Sequence, residues 1–216
     1  MFFKEIFTLF NQLQKTSLPG VLAHDKVLDT KVRDYIFKDA KYAEPPRKSA
    51  VLALVYPDEQ GEAKMVFILR KSYNGHHSGQ IAFPGGKLEK EDKSLYDTAL
   101  REANEEVNIN PQQVQLIKEL TKVFIPVSNY MVQAFLAYST QIPNFIKDPS
   151  EVAGILHFSL NKILNNPLQP IQKEYFGKTY QLHAFKINEY LIWGATAMIL
   201  SEIKELFIDV LKTDYK

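Results

Sequence analysis

At 216 residues, with 45% hydrophobic and 24% charged side chains, the sequence has the composition of a soluble globular protein with enough apolar material for one substantial core. Lys plus Arg (26) nearly balances Asp plus Glu (25), giving a formal net charge of +1, so no global field directs the chain to nucleic acid or an anionic membrane and any anionic ligand needs a local site. The chain has no cysteine, which excludes a disulfide framework, thiol catalysis and thiolate metal ligands and agrees with a cytoplasmic location. The opening "MFFKEIFTLFNQLQK" places Phe3, Ile6, Phe7, Phe10 and Leu13 at helical spacing. Lys4, Glu5, Asn11 and Gln12 interrupt any continuous apolar run, so the segment reads as a docked amphipathic helix rather than an export signal or an interfacial membrane helix. After "LPG" and a mostly polar stretch, the paired prolines of "AEPPRK" cannot lie inside a helix. They divide the chain into an N-terminal helical extension over 1–45 and a main domain over 46–216.

"SAVLALVYP" (49–57) and "KMVFILR" (64–70) predict two buried strands joined by the turn-rich "DEQGEA". Further strands are expected over 116–124, 130–138, 155–158, 179–186 and 190–193, and helices over 95–107, 160–165 and 195–212. Strands mixed with a few helices, without regular alternation, indicate α/β architecture with a mixed sheet rather than a doubly wound parallel one.

The helix over 95–107 carries the chemistry. Ser94 can cap its start with Asp97 three residues on, and Asn108 stands where a left-handed terminating residue is wanted. Tyr96, Ala99, Leu100, Ala103 and Val107 share one apolar face, so Glu102, Glu105 and Glu106 are expected to project from a neighbouring one. Like charges at this spacing cost roughly 0.2–0.5 kcal/mol per pair even on an exposed helix. Arg101 can neutralise one of them, and a hard divalent cation suits the remaining oxygen donors. In isolation "REANEEV" reads as a solvated acidic face. The loop before it, "FPGGK", supplies Gly85 and Gly86, which permit backbone conformations and close approach denied to other residues. His24, His157 and His183 lack local partners and read as structural, and Trp193 and Tyr130 read as core, with stacking on an adenine as the alternative.

From Gly86 to Ile109 the sequence resembles the signature of the Nudix hydrolases, matching at Gly86, Arg101, Glu102, Glu105, Glu106 and Ile109. Asn108 replaces the usual glycine, and the longer loop leaves Glu89 or Asp92 as its acid. That loop, "GQIAFPGG" upstream and "LIWGATAMIL" near the C-terminus are similar to the coenzyme A pyrophosphatase branch, with Gly75 and Ala134 where the branch usually has arginine and proline. The resemblance implies an α/β/α Nudix sandwich that hydrolyses the diphosphate of coenzyme A or its thioesters to 3′,5′-ADP and 4′-phosphopantetheine derivatives. Another nucleoside diphosphate derivative, or nucleotide sensing without catalysis, are the alternatives. It also implies Mg²⁺ or Mn²⁺ held by Glu102, Glu105, Glu106 and the Gly86 carbonyl, with Arg101, Glu105 and Glu151 in catalysis. Arg70, Lys71, His77, Gly85 and Lys87 would contact a small-molecule substrate. Neither a nucleic-acid nor a membrane partner is implied, and a homodimer is compatible with the pattern.

Overall fold

The computed structural model describes residues 1–28, 44–71, 79–175 and 177–214, so Gly75, His76 and the expected substrate contact His77 lie outside the described residues. Its centre is a mixed sheet. Strand β1 (Arg47–Pro57) pairs antiparallel with β2 (Ala63–Arg70) and parallel with β7 (Tyr130–Tyr138), and β8 (Val152–Ser159) extends the sheet beyond β2. Short strands β3 (Ile81–Ala82) and β4 (Gly85–Lys87) pair with β2 and β1, while β5 (Gln115–Glu119) and β6 (Val123–Ile125) both pair with β7. The sequence predicts one strand over 116–124; Leu120 turns inward between β5 and β6 and is buried, which divides it.

The unbroken apolar run of β1 follows from its position, because a strand covered on both faces needs no polar alternation. Ala50, Leu52, Leu54 and Tyr56 pack under helix α4 (Leu95–Val107), and Ala53 and Val55 pack on the opposite face beneath helix α6 (Gly194–Asp214). Period-two alternation thus feeds two separate cores and gives the expected α/β/α layering. Helix α5 (Leu160–Asn165) follows β8, and a meander of β9 (Leu168–Tyr175), β10 (Lys178–Ile187) and β11 (Tyr190–Ile192) leads into α6. Strand β9 has no sequence signal; its Pro170 and polar residues are tolerated because it pairs with β10 alone.

The single N-terminal helix expected from periodicity is two, α1 (Phe3–Phe7) and α2 (Phe10–Lys15), followed by α3 (Val21–Asp25). The Thr8 hydroxyl donates to the Glu5 carbonyl at 2.7 Å and Leu9 N–H to the Ile6 carbonyl at 2.9 Å, a tight turn that buries Leu9 together with Phe10. Phe3, Ile6, Phe10, Leu13 and Val27 belong to the same core cluster as β2 and α6, so the N-terminal segment shares its interior with the sheet. Among the described residues no helix is long and apolar enough to cross a membrane.

Candidate active site

Helix α4 forms as its sequence requires. The Ser94 hydroxyl accepts from Asp97 N–H at 3.1 Å, and Asn108 ends the helix at φ 58°, ψ 35°, in the left-handed region expected of a residue at a glycine position. Its Nδ2 donates to the Asn144 carbonyl at 2.8 Å, a bond that glycine cannot make. Ala99, Ala103 and Val107 are fully buried, which fixes the rotation of the helix and therefore the directions of the glutamates.

The three glutamates do not share one environment. Glu106 is only 3% exposed, because it borders the apolar face, and its carboxylate accepts from Gly85 N–H at 2.9 Å with Arg70 Nη1 3.7 Å away. Burial pushes its carboxyl up to about 8, against the hydrogen bond from Gly85 and the charge of Arg70 and with the help of Glu102 and Glu151. Glu102 is also raised, first by burial and then by Glu105 and Glu151 against the pull of Arg101. Glu105 is 57% exposed along its side chain and bonds Arg101 Nη1 at 2.9 Å.

Strand β4 brings the glycines against this helix. A Cβ on Gly85, whose φ is +154°, would lie 2.3 Å from the Ala50 carbonyl oxygen and 2.6 Å from Val51 Cα, so only glycine fits beside β1. A Cβ on Gly86 would stand 2.4 Å from the Glu102 carboxyl group, and its backbone angles are unremarkable. The two substitutions therefore separate fold from function. Gly85→Ala is expected to lower stability by about 1–3 kcal/mol, because backbone cannot yield. Gly86→Ala is expected to melt nearly as wild type while displacing the Glu102 carboxylate and lowering turnover by about 10-fold or more, measured by thermal melts and single-substrate kinetics on both purified variants.

The acid of the loop is Asp92. Arg101 Nε and Nη2 donate to its two oxygens at 3.0 Å each, and the same guanidinium reaches the Lys87 carbonyl at 3.0 Å. Asp92 also accepts from Thr98 and from Glu89 N–H, both at 2.9 Å, so Glu89 supports the loop through its backbone. The Arg101 hydrogen bonds hold the Asp92 carboxyl down at about 2. Arg101 thereby anchors the loop to the helix while its Nη1 donates to both Glu102 and Glu105.

Gly85, Gly86, Arg101, Glu102 and Glu105 open into a cleft of about 960 Å³, and Asp92 and Glu106 are not among the residues lining it. Of the residues expected from sequence, Arg70, Gly85, Gly86, Lys87, Arg101, Glu102, Glu105 and Glu151 line it. Lys71 is not among the lining residues, and its ammonium donates to the Pro149 carbonyl at 3.0 Å. Trp193 and Tyr130, read from sequence as core, are half-buried in the cleft wall. His24 and His157 have partners distant in sequence, Glu202 at 3.1 Å and the Tyr56 hydroxyl at 2.6 Å, which no local pattern could reveal.

Among the described residues no three acidic or histidine side chains converge as a preformed ligand set, since Arg101 engages Glu102 and Glu105 while Gly85 N–H holds Glu106. The donor chemistry nonetheless fits a hard divalent cation. Glu102 and Glu151 are oxygen donors near enough to raise the proton affinity of Glu106, Glu151 also acts on Glu102, and Arg70 is the cation that offsets Glu106.

A glycine strand laid against a helix of clustered carboxylates, beside a cleft on an α/β/α sandwich, is the arrangement these residues build. The NUDIX domain family profile matches residues 46–178, and the chain belongs to the Nudix family. It is 29% identical over 164 residues to Nudix hydrolase 15, mitochondrial, of Arabidopsis thaliana, a match covering 72% of this chain and 56% of that protein, so the chain spans little more than half of the plant relative. It is 31% identical over 159 residues to the Nudix hydrolase NudL of Enterobacter sp., covering 73% and 81% of the two chains. A crystal structure of the Nudix hydrolase RenU of M. smegmatis shares the fold with a TM-score of 0.50 and 14% identity, over 77% of this chain and 88% of that one.

Proposed function

We propose that the protein hydrolyses the diphosphate of coenzyme A or a coenzyme A thioester to 3′,5′-ADP and a 4′-phosphopantetheine derivative. The observation that carries the hydrolytic reading is the packing of Glu102 and Glu106 against Gly86 and Gly85, with Glu151 facing them, in a cleft large enough for an extended nucleotide. The choice of coenzyme A among nucleoside diphosphate derivatives is supported by the similarity of "GQIAFPGGK" and "LIWGATAMIL" to the coenzyme A pyrophosphatase branch.

Glu102 and Glu106, with Glu105 once freed from Arg101, are the residues to hold Mg²⁺ or Mn²⁺, and the Gly86 carbonyl is a further oxygen donor beside them. A divalent cation there supplies charge to the phosphoryl oxygens and acidifies water at neutral pH. The chain itself contributes position and proton transfer. Arg101 holds the loop through Asp92, Arg70 and Lys87 orient the anionic substrate, and Glu151 takes the proton as water oxygen bonds to phosphorus. The bond from that phosphorus to the bridging oxygen breaks, and the departing phosphate keeps the electron pair. A homodimer is compatible with this reading.

A site selective for coenzyme A reads its 3′-phosphate as well as its diphosphate, and Arg70 and Lys87 are the cations on the cleft wall suited to do so. Charge-assisted hydrogen bonds contribute about 1.5–3 kcal/mol, so 3′-dephospho-coenzyme A should lose about 10- to 100-fold in kcat/KM. Chromatography of products from coenzyme A, its dephospho form, NADH and ADP-ribose tests this. Faster cleavage of NADH or ADP-ribose would assign the protein to another nucleoside diphosphate derivative, and binding without cleavage to a sensor.

A further inference from the structure

We propose that Trp193 is the surface on which the substrate's nucleobase stacks. The inference rests on the coenzyme A reading for its ligand but stands on separate geometry. Trp193 closes β11 and precedes Gly194, whose φ of +64° turns the chain into α6. That turn leaves the indole half-buried in the cleft wall instead of in either core cluster. The Lys173 ammonium sits 4.2 Å from the ring centroid, and Lys173 is not among the residues lining the cleft. The cation occupies one face of a ring that also lines the cleft. A flat ring with a cation behind it favours an electron-rich heteroaromatic partner.

Val51, Met198 and Ile199 line the cleft as well and are the better surface for an aliphatic arm. Glu102 and Glu105 of α4 line the same cleft, so one substrate can meet both the indole and the carboxylates.

Trp193 is the only tryptophan of the chain, so intrinsic fluorescence reads this one side chain. Titration of the full-length protein with 3′,5′-ADP should quench it saturably, whereas 4′-phosphopantetheine should leave it unchanged at concentrations that inhibit turnover. Base–aromatic stacking predicts that Trp193→Leu raises KM for coenzyme A by about 10- to 100-fold with kcat little altered, and that Trp193→Phe restores part of the loss. Quenching by 4′-phosphopantetheine alone, or by neither fragment, would overturn the assignment, as would a Trp193→Leu enzyme with unchanged KM. Cleavage of coenzyme A without quenching removes this inference and leaves the proposed activity intact. Quenching by 3′,5′-ADP without cleavage of coenzyme A retains the base site and removes the activity.

Discussion

Glu106→Gln is expected to lose at least about 100-fold in kcat while folding as well as the wild type. A charge near the reacting phosphate supplies several kcal/mol of transition-state stabilisation, and each factor of ten in rate corresponds to about 1.4 kcal/mol. The glutamine carbonyl can still accept from Gly85 N–H, and because burial pushes the Glu106 carboxyl up to about 8, the amide replaces a largely uncharged group of the same shape near neutral pH. Stability should consequently hold or rise as activity falls. Turnover of the purified variant at saturating Mg²⁺, beside its thermal melt, decides the matter: near-normal kcat would remove Glu106 from the metal set.

Glu202→Ala is expected to produce the largest loss of stability, about 3–5 kcal/mol, without touching the cleft. Glu202 is fully buried on α6, and its carboxylate joins three parts of the chain: His24 Nε2 of α3 at 3.1 Å, and Thr121 N–H at 3.2 Å and hydroxyl at 2.6 Å between β5 and β6. Truncation strands these donors in the interior and leaves a cavity. Burial alone would raise the Glu202 carboxyl, but the hydrogen bonds from His24 and Thr121 outweigh it and hold the carboxyl below its ordinary 4.5. A carboxyl lowered by folding stabilises the protein fully above its unfolded value and ceases to do so as the pH falls through its folded one. Chemical denaturation should accordingly show the full difference between wild type and variant at neutral pH, and a narrowing one below about pH 4.5. A difference that widens in acid would contradict this assignment of charge.

Local sequence determined the parts of this protein whose physics is local. Helix α4 has the limits that Ser94 and Asn108 dictate, because a cap and a left-handed terminator act on backbone groups within a turn of themselves. The apolar run of β1 announced a strand covered on both faces, and the order of Gly86, Arg101 and the glutamates was enough to identify the family. Tertiary packing decided everything that depends on what lies across the fold. Periodicity places Glu102, Glu105 and Glu106 on one stretch of helix, but only β4 against that helix makes Glu106 a buried acid bonded to Gly85 and leaves Glu105 in solvent. Either Glu89 or Asp92 satisfied the spacing of the loop; the reach of the Arg101 guanidinium selected Asp92. Lys71 and Arg70 are neighbours in sequence, yet the alternation of an extended chain turns one toward Pro149 and the other toward Glu106. Trp193 and Tyr130 look like core residues because indole and phenol rings usually are, and they became cleft walls because the meander ends and β7 begins beside the cleft. His24 and Glu202, 178 positions apart, carry no mutual signal along the chain, since a hydrogen bond depends on distance in space and the sequence records only distance along the backbone.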